Sequence, residues 1–506
     1  MIYMVEVEAF NTVSQSTETY YFATGGGFTT RPTDTPANQE YSGRIVEPGN
    51  YERGLFGSGT TRGEGKVGFG EIRIANPDAV FDHLIDLAFD GRPCRIYRMP
   101  GLGDFASREL LITGTIDQPT FEFETIDFRF RDRLAELAET QLTQNVYAGT
   151  TTATGPTAEG RPNDFGGQPK PLLFGRAYSI PAVAANVFDL IYQISDSAIF
   201  AVLAARDAGV PLTATGDHAD IAGLRAASLS PGQYATCLAE GLIRLGGSPA
   251  GVIAVDAVGF GGGSAAECVE AIFNTAGITG LNAASVTALE AANTAPVGVW
   301  VNGTADTLSV VQDVLQSIGA YIYVDAAGEF ILDRLEPASG TPDHVLGLQD
   351  VEDNVQRLAT GDDGRGIPAK RVTVTYRPRY AGEAEDSFAG SVSQADRTEL
   401  AREFRSASVA DTGVASDRLL APELTFDSLL FNDADADAEA ARLLDIYKVR
   451  RDRLTATVSG QRGPFQLGET VQLTLNRFGF DGSRLLRIVG LVEDYANNTT
   501  ELELWS

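Results

Sequence analysis

Apolar and polar positions alternate with a period of two at both ends of the chain, the pattern of strands with one buried face. Near the start it runs through "MVEVEAF", "ETYYFAT", "KVGFGEIRI", "PCRIYRM", "ELLITGTI" and "TFEFETIDFRF", between residues 4 and 130. It returns in "KRVTVTYRPRY" (370–380) and in "LGETVQLTLNRFGFDGSRLLRIVGLVEDYANNTTELELWS" (467–506). One helix is expected among the first strands, in "NPDAVFDHLIDLAFDG" (76–91). Asn76 can cap it, Pro77 suits its first turn, Val80, Phe81, Leu84 and Leu87 share a face, and Gly91 ends it.

The middle of the chain changes period. "SAAECVEAIFNTAG" predicts a helix capped by Ser264 and stopped by Gly277. "TADTLSVVQDVLQSIG" predicts a second, with Leu308, Val311, Leu315 and Ile318 as its apolar stripe and Gly319 as its stop. A hairpin follows, Ile322 and Val324 facing Phe330 and Leu332 across a turn with Asp325 and Gly328. A last helix is expected in "NDADADAEAARLLDIYKVRRDR", with Asp433, Asp435, Asp437 and Glu439 at its start and Lys448, Arg450 and Arg451 at its end, as the macrodipole favours.

These patterns predict a mainly β, multidomain chain with an α+β middle. Residues 1–145 form a first β domain, 146–170 (rich in Gly, Thr and Pro) a loop or linker, 171–365 a mixed α+β domain, and 366–506 a second β domain. At 506 residues each domain is large enough to bury its own core.

Charge narrows the partners. Lys plus Arg number 39 against 68 Asp plus Glu, a formal net charge of −29, which disfavours a stable grip on a phosphate backbone. The opening "MIYMVEVEAF" fits a strand better than a secretory signal, and no membrane span is expected. Cys94, Cys237 and Cys268 are odd in number and far apart, so they read as small buried groups in a reducing cytoplasm.

Chemistry-bearing motifs are few. "DADAD" resembles the start of a calcium loop, but Ala438 stands where glycine is needed and Leu444 where glutamate is needed. "GFGGGSAAE" (259–267) lacks the Gly-Lys-Ser/Thr of a phosphate loop. His83, His218 and His344 sit in no zinc or triad pattern. The aromatic pairs Tyr20/Tyr21, Tyr321/Tyr323 and Phe478/Phe480 fit sheet neighbours better than a sugar-binding face. No catalytic, cofactor-binding or metal-binding residue is assigned, and no cofactor is expected.

The two ends share a cadence. Setting Gly91 against Gly468 aligns "GRPCRIY" with "GETVQLT"; Gly114 in "LITGTI" then falls 23 residues on and Gly490 in "RIVGLV" 22. Beyond each lies a turn, "DQP" or "ANN", and a last strand, "TFEFETIDFRF" or "TTELELW". The pattern predicts a helix–strand–hairpin–strand unit used twice.

These segments, with "EIRIANPDAVFDHLIDLAFDGRPCRIYR", "QPKPLLFGRAYSIPAV", "LIYQISDSAIFAVLAARDAGVPLT" and "GLIRLGGSPAGVIAVDAVG", resemble the baseplate hub, or tail-tip, proteins of long-tailed bacteriophages and related prophage or gene-transfer particles. The stretch 382–425 lies outside the likeness. The resemblance implies two tail-tube-like β-barrel domains flanking the mixed α+β region, and a trimer whose six barrels adapt a sixfold tube to a threefold tip in the virion. It also implies a distal tail protein ring, the tape-measure C-terminus and a tip fibre or receptor-binding protein as partners, with DNA passing through the lumen during ejection. An acidic channel wall would let DNA pass without sticking. Two rival classes, a tail-associated cell-wall-degrading enzyme and a receptor- or glycan-binding adhesin, find no discrete module in the sequence.

Overall fold

The computed structural model describes residues 1–57, 65–101, 104–161, 163–352, 355–358, 367–459 and 463–506. The chain is mainly β, with 40% of residues in strands and 18% in helices. It forms two compact units that interleave along the sequence: unit 1 is Met1–Glu136, Tyr321–Ile367 and Arg450–Ser506, and unit 2 is Leu137–Ala320 and Pro368–Val449. The division therefore does not run linearly at 146, 171 and 366. Residues 146–170 pack within unit 2, with Tyr147 buried against Phe165, and 368–449 return to unit 2. The reason is that two short strands at 344–358 pair with strands more than 90 residues further on.

Unit 1 begins with seven strands: β1 (Ile2–Asn11), β2 (Ser16–Thr24), β3 (Glu40–Gly54), β4 (Lys66–Ala75), β5 (Pro93–Met99), β6 (Glu109–Ile116) and β7 (Thr125–Arg131). They pair in the order β2-β1-β5-β6-β7-β4-β3, and the parallel contact of β2 with β3 closes the ring into a barrel. Alternate positions turn inward, so Val5, Val7, Phe22, Ile72, Ile74, Ile96, Ile112, Phe128 and Phe130 meet in one core. Its interior is filled with side chains.

The C-terminal part of unit 1 adds β8 (His344–Leu346), β9 (Gln356–Leu358), β10 (Arg453–Ser459), β11 (Thr470–Leu473), β12 (Arg484–Asp494) and β13 (Thr499–Trp505). Their order is β8-β11-β12-β13-β10-β9. In sequence order these are strands one, four, five, six, three and two, and the barrel's β1-β5-β6-β7-β4-β3 follows the same path. The contact between third and sixth strands holds seven residue pairs in both, Phe69↔Arg131 to Ala75↔Thr125 and Arg453↔Trp505 to Ser459↔Thr499. One contact differs: β1 meets β5 antiparallel, whereas β8 meets β11 parallel. The second copy carries residues 368–449 as an insertion between β9 and β10.

β3 belongs to both copies. Its first part pairs with β2, and Asn50–Gly54 pair with Gly490–Asp494 of β12. Between these two pairings lie Pro48, which has no backbone donor, and Gly49, at φ +94°, whose added Cβ would strike the Glu71 carbonyl.

The expected helix at 76–91 is only a 3-10 turn, Asp82–Asp86. Ala79 takes φ +59°, and the Asn76 side chain accepts from Phe81 N and donates to Asp82, which fixes a turn instead of a helical start. The repeated unit is therefore made of strands, without a helix. "TFEFETIDFRF" is likewise broken into a short hairpin, Thr120–Phe121 against Ile126–Asp127.

Unit 2 stacks two five-stranded sheets. One runs Val210–Pro211, Ala201–Asp207, Ile253–Val258, Leu172–Pro181, Gly298–Val301; the other runs Val183–Asn186, Ile191–Gln193, Leu242–Leu245, Gln233–Cys237, Thr213–Asp217. Leu173, Ile180, Tyr234, Ile243, Val255 and Trp300 fill the space between them. Helix α1 (Ala265–Ala276) has the expected capping box, Ser264 with Glu267, and Gly277 in the left-handed region at its end. Helix α2 (Thr307–Gln316) is capped by Asp306 and buries Leu308, Val311 and Leu315. A three-stranded sheet, Arg405–Ala410, Arg371–Tyr376, Glu423–Phe426, packs against α3 (Asp433–Tyr447). The carboxylates of "DADAD" start α3 as expected, but Lys448 is its C-cap and Arg450 and Arg451 lie beyond it.

Candidate assembly surfaces

The two copies in unit 1 are locked by buried charge. Register places Arg53 of β3 opposite Leu491, next to Glu493 of β12. The Arg53 guanidinium donates to Glu493 (3.2 Å), to Gln466 Oε1 (3.0 Å) and to the Phe465 carbonyl (3.3 Å), and lies 5.2 Å from the centre of the Tyr51 ring. Burial pushes the Glu493 carboxyl above its ordinary range, and Arg53 pulls it back only in part. At the end of β7, Asp132 accepts from Gly68 N (2.7 Å) and Leu134 N (2.9 Å), and burial raises its carboxyl to about 7. In the second copy the carboxylate of Asp452 is held by Arg357 (2.6 Å) and Arg484 (3.1 Å), and buried Arg453 pairs with Glu503. These contacts fix the strands in place.

One end of the barrel exposes apolar tips. Phe10 and Ala88 exchange two backbone hydrogen bonds, and Asn76 N donates to Glu124 O. These bonds gather the β1–β2 turn, the 76–88 segment and the 122–124 turn. Val13 is 93% and Phe123 97% exposed there, with Val80 and Ile85 also outside. Among them stand Asp78, bound by Arg44 (2.8 and 2.6 Å), and Glu18, bound by Asn11 (2.9 Å) and Tyr20 (2.7 Å). Unit 2 exposes the adjacent Leu419 and Leu420, at 90% and 89%. Apolar groups gathered at one surface are open to contact with a partner. Sequence reasoning missed all of these. Phe123 reads as an alternating strand position, and Leu419–Leu420 lie in the stretch that matched nothing.

The residues weighed for chemistry lie apart. His83 is exposed, its Nδ1 3.0 Å from the Val80 carbonyl. His344 pairs with Glu469 (2.9 Å) against the Phe465 ring, and His218 is half-buried in unit 2. Among the described residues no three of His, Cys, Asp and Glu are grouped to hold a metal ion. All three cysteines are buried and unbridged, and burial pushes the Cys94 and Cys268 thiols up to about 12. Tyr21 packs edge-on against Tyr41, and Tyr321 and Tyr323 lie side by side with Tyr321 buried. Tyr20 is half-buried; Phe480 is buried, but Phe478 is exposed. No helix of the described residues is long and apolar enough to cross a membrane.

No family model and no curated protein matches the sequence. Solved structures that match include tail proteins, two of them from prophages, a chain of a gene transfer agent virion and a component of a type VI secretion system. A tail protein from Neisseria meningitidis MC58 is 11% identical, covering 93% of this chain and 94% of its own, at a TM-score of 0.41. A prophage tail protein from Listeria monocytogenes EGD-e is 8% identical, covering 100% and 94%, at 0.43. A chain from the virion of a native gene transfer agent particle is 15% identical, covering 67% and 84%, at 0.43. At these identities and scores the likeness carries no functional argument.

Proposed function

We propose that the chain is a structural protein of a phage-like tail, the hub at its tip, acting as a trimer. The observation that carries this reading is the same six-strand path built twice, from residues 2–131 and from 344–358 with 453–505. Two like domains per subunit let three subunits present six similar positions around a ring. Such a ring meets a sixfold tube on one side and a threefold tip on the other. The exposed tips Val13, Phe123, Leu419 and Leu420 supply apolar contact for neighbours in the assembly. A distal tail ring, the end of a tape-measure protein and a tip fibre are the partners of this reading. The net charge of −29 keeps the inner wall from holding DNA in transit. The role is structural, without catalysis.

Light scattering on the purified chain tests the reading, with an expected mass three times the 53.8 kDa subunit. Electron microscopy of the particle should then show a ring of six like densities at one height. A ring in which the two copies lie at different heights sinks the proposal.

A further inference from the structure

Arg377 has no ion-pair partner among the described residues. It follows the strand Arg371–Tyr376 in unit 2, where its backbone N donates to Leu430 O (2.8 Å). Its guanidinium carbon lies 4.5 Å from the centre of the Tyr178 ring and 4.7 Å from that of Phe431. Two aromatic contacts fix the guanidinium without neutralising it. Among the described residues no carboxylate pairs with it, and its Nε is buried with no acceptor. Other arginines of this unit are matched, Arg206 to Asp256 and Arg379 to Glu383. With 68 acidic residues in the chain, a partner is not lacking for want of carboxylates. Arg377 also takes φ +52°, a strained backbone for a side chain of this size.

The group lines an open pocket at the end of the three-stranded sheet, together with Arg402, Arg405 and Phe404. Glu399 lies there too but is shared by the other two cations, accepting from Arg405 (2.8 and 2.5 Å) and standing 3.3 Å from Arg402 Nε. Asp433 is the other acid of the lining, and no ion pair joins it to Arg377. The lining itself holds three cations and two carboxylates, an excess of positive groups in a chain of net charge −29, with Asp437 acting on the lining Tyr376 from α3. Phe404, 48% exposed, adds an apolar wall beside the cations.

We propose that this pocket binds an acidic peptide segment of a partner protein, with one carboxylate seated on the free edge of Arg377 and steered by Arg402. A planar guanidinium suits the two oxygens of a carboxylate, and the wall at Phe404 suits the methylenes behind it better than a bare ion would.

The test uses the full chain and a labelled, acetylated and amidated four-residue peptide carrying two glutamates. Its glutamine analogue and inorganic phosphate are the comparison probes. Saturable binding of the glutamate peptide is expected, weakened at least about fivefold by Arg377→Gln and by Arg402→Gln, with no binding of the glutamine analogue. Arg402 is largely exposed, so its variant keeps the test open if Arg377→Gln fails to fold. Equal affinity in wild type and Arg402→Gln, or no peptide binding, overturns the proposal. Phosphate binding without peptide binding gives the pocket to a small anion and overturns it as well.

Discussion

At the residue scale the decisive group is the buried pair Arg53–Glu493, because each partner alone would be an uncompensated charge in the core. Glu493→Ala is expected to cost about 3–5 kcal/mol of unfolding free energy, and Arg53→Met with Glu493→Leu to recover most of it, as urea titration would read. Asp132 makes stability depend on pH. An acid whose folded pKa is raised keeps its proton in the folded chain after the unfolded chain has lost it. Its contribution is full below the unfolded value, about pH 4, and is lost as pH rises toward about 7. Wild type should therefore lose stability relative to Asp132→Asn between pH 4.5 and 7.5. A constant difference between the two across that window would refute the assignment. None of these partnerships was legible beforehand, since Arg53 and Glu493 stand 440 residues apart and spacing reveals no long-range pair.

At the element scale, periodicity located most strands of the barrel, the helices at 265–276 and 307–316 and the hairpin at 320–334, because local pattern and tertiary burial agree there, but it missed the longest strand, Glu40–Gly54. It failed where side chains compete with the backbone. Asn76 and the left-handed Ala79 turned a helical pattern into a 3-10 turn. It also could not find β8 and β9, which are three residues each and owe their existence to their neighbours. The aligned glycines separate likeness from identity. A Cβ on Gly114 would lie 2.5 Å from the Arg131 carbonyl, whereas one on Gly490 would meet the movable end of Glu503 at 2.9 Å. Gly114→Ala should cost about 2 kcal/mol or more and Gly490→Ala less than about 1, by thermal or chemical unfolding. A reversed order would mean that the two strands are not held alike.

At the scale of the whole molecule, the doubled strand path was visible as a cadence, while the interleaving of the units was not. The insertion of 368–449 into the second copy has no sequence mark beyond a run of polar residues. Charge sets a condition on assembly. Subunits of charge −29 repel, and raising NaCl from 10 to 150 mM shortens the screening length from about 30 to about 8 Å. Association into the proposed trimer should tighten over that range, as sedimentation velocity would show. Weakening with salt would mean that ion pairs, not apolar contacts, hold the subunits.

The strand Glu40–Gly54 is common property of the two copies, and neither can be lifted away whole. Cutting the polypeptide after residue 136 would leave the early fragment with a raw edge at Asn50–Gly54 and the later one with a matching edge at Gly490–Asp494. Co-expressed, the pieces should find each other and co-purify as a split protein. Proline at Leu491, by removing a donor from that ribbon, should keep them strangers.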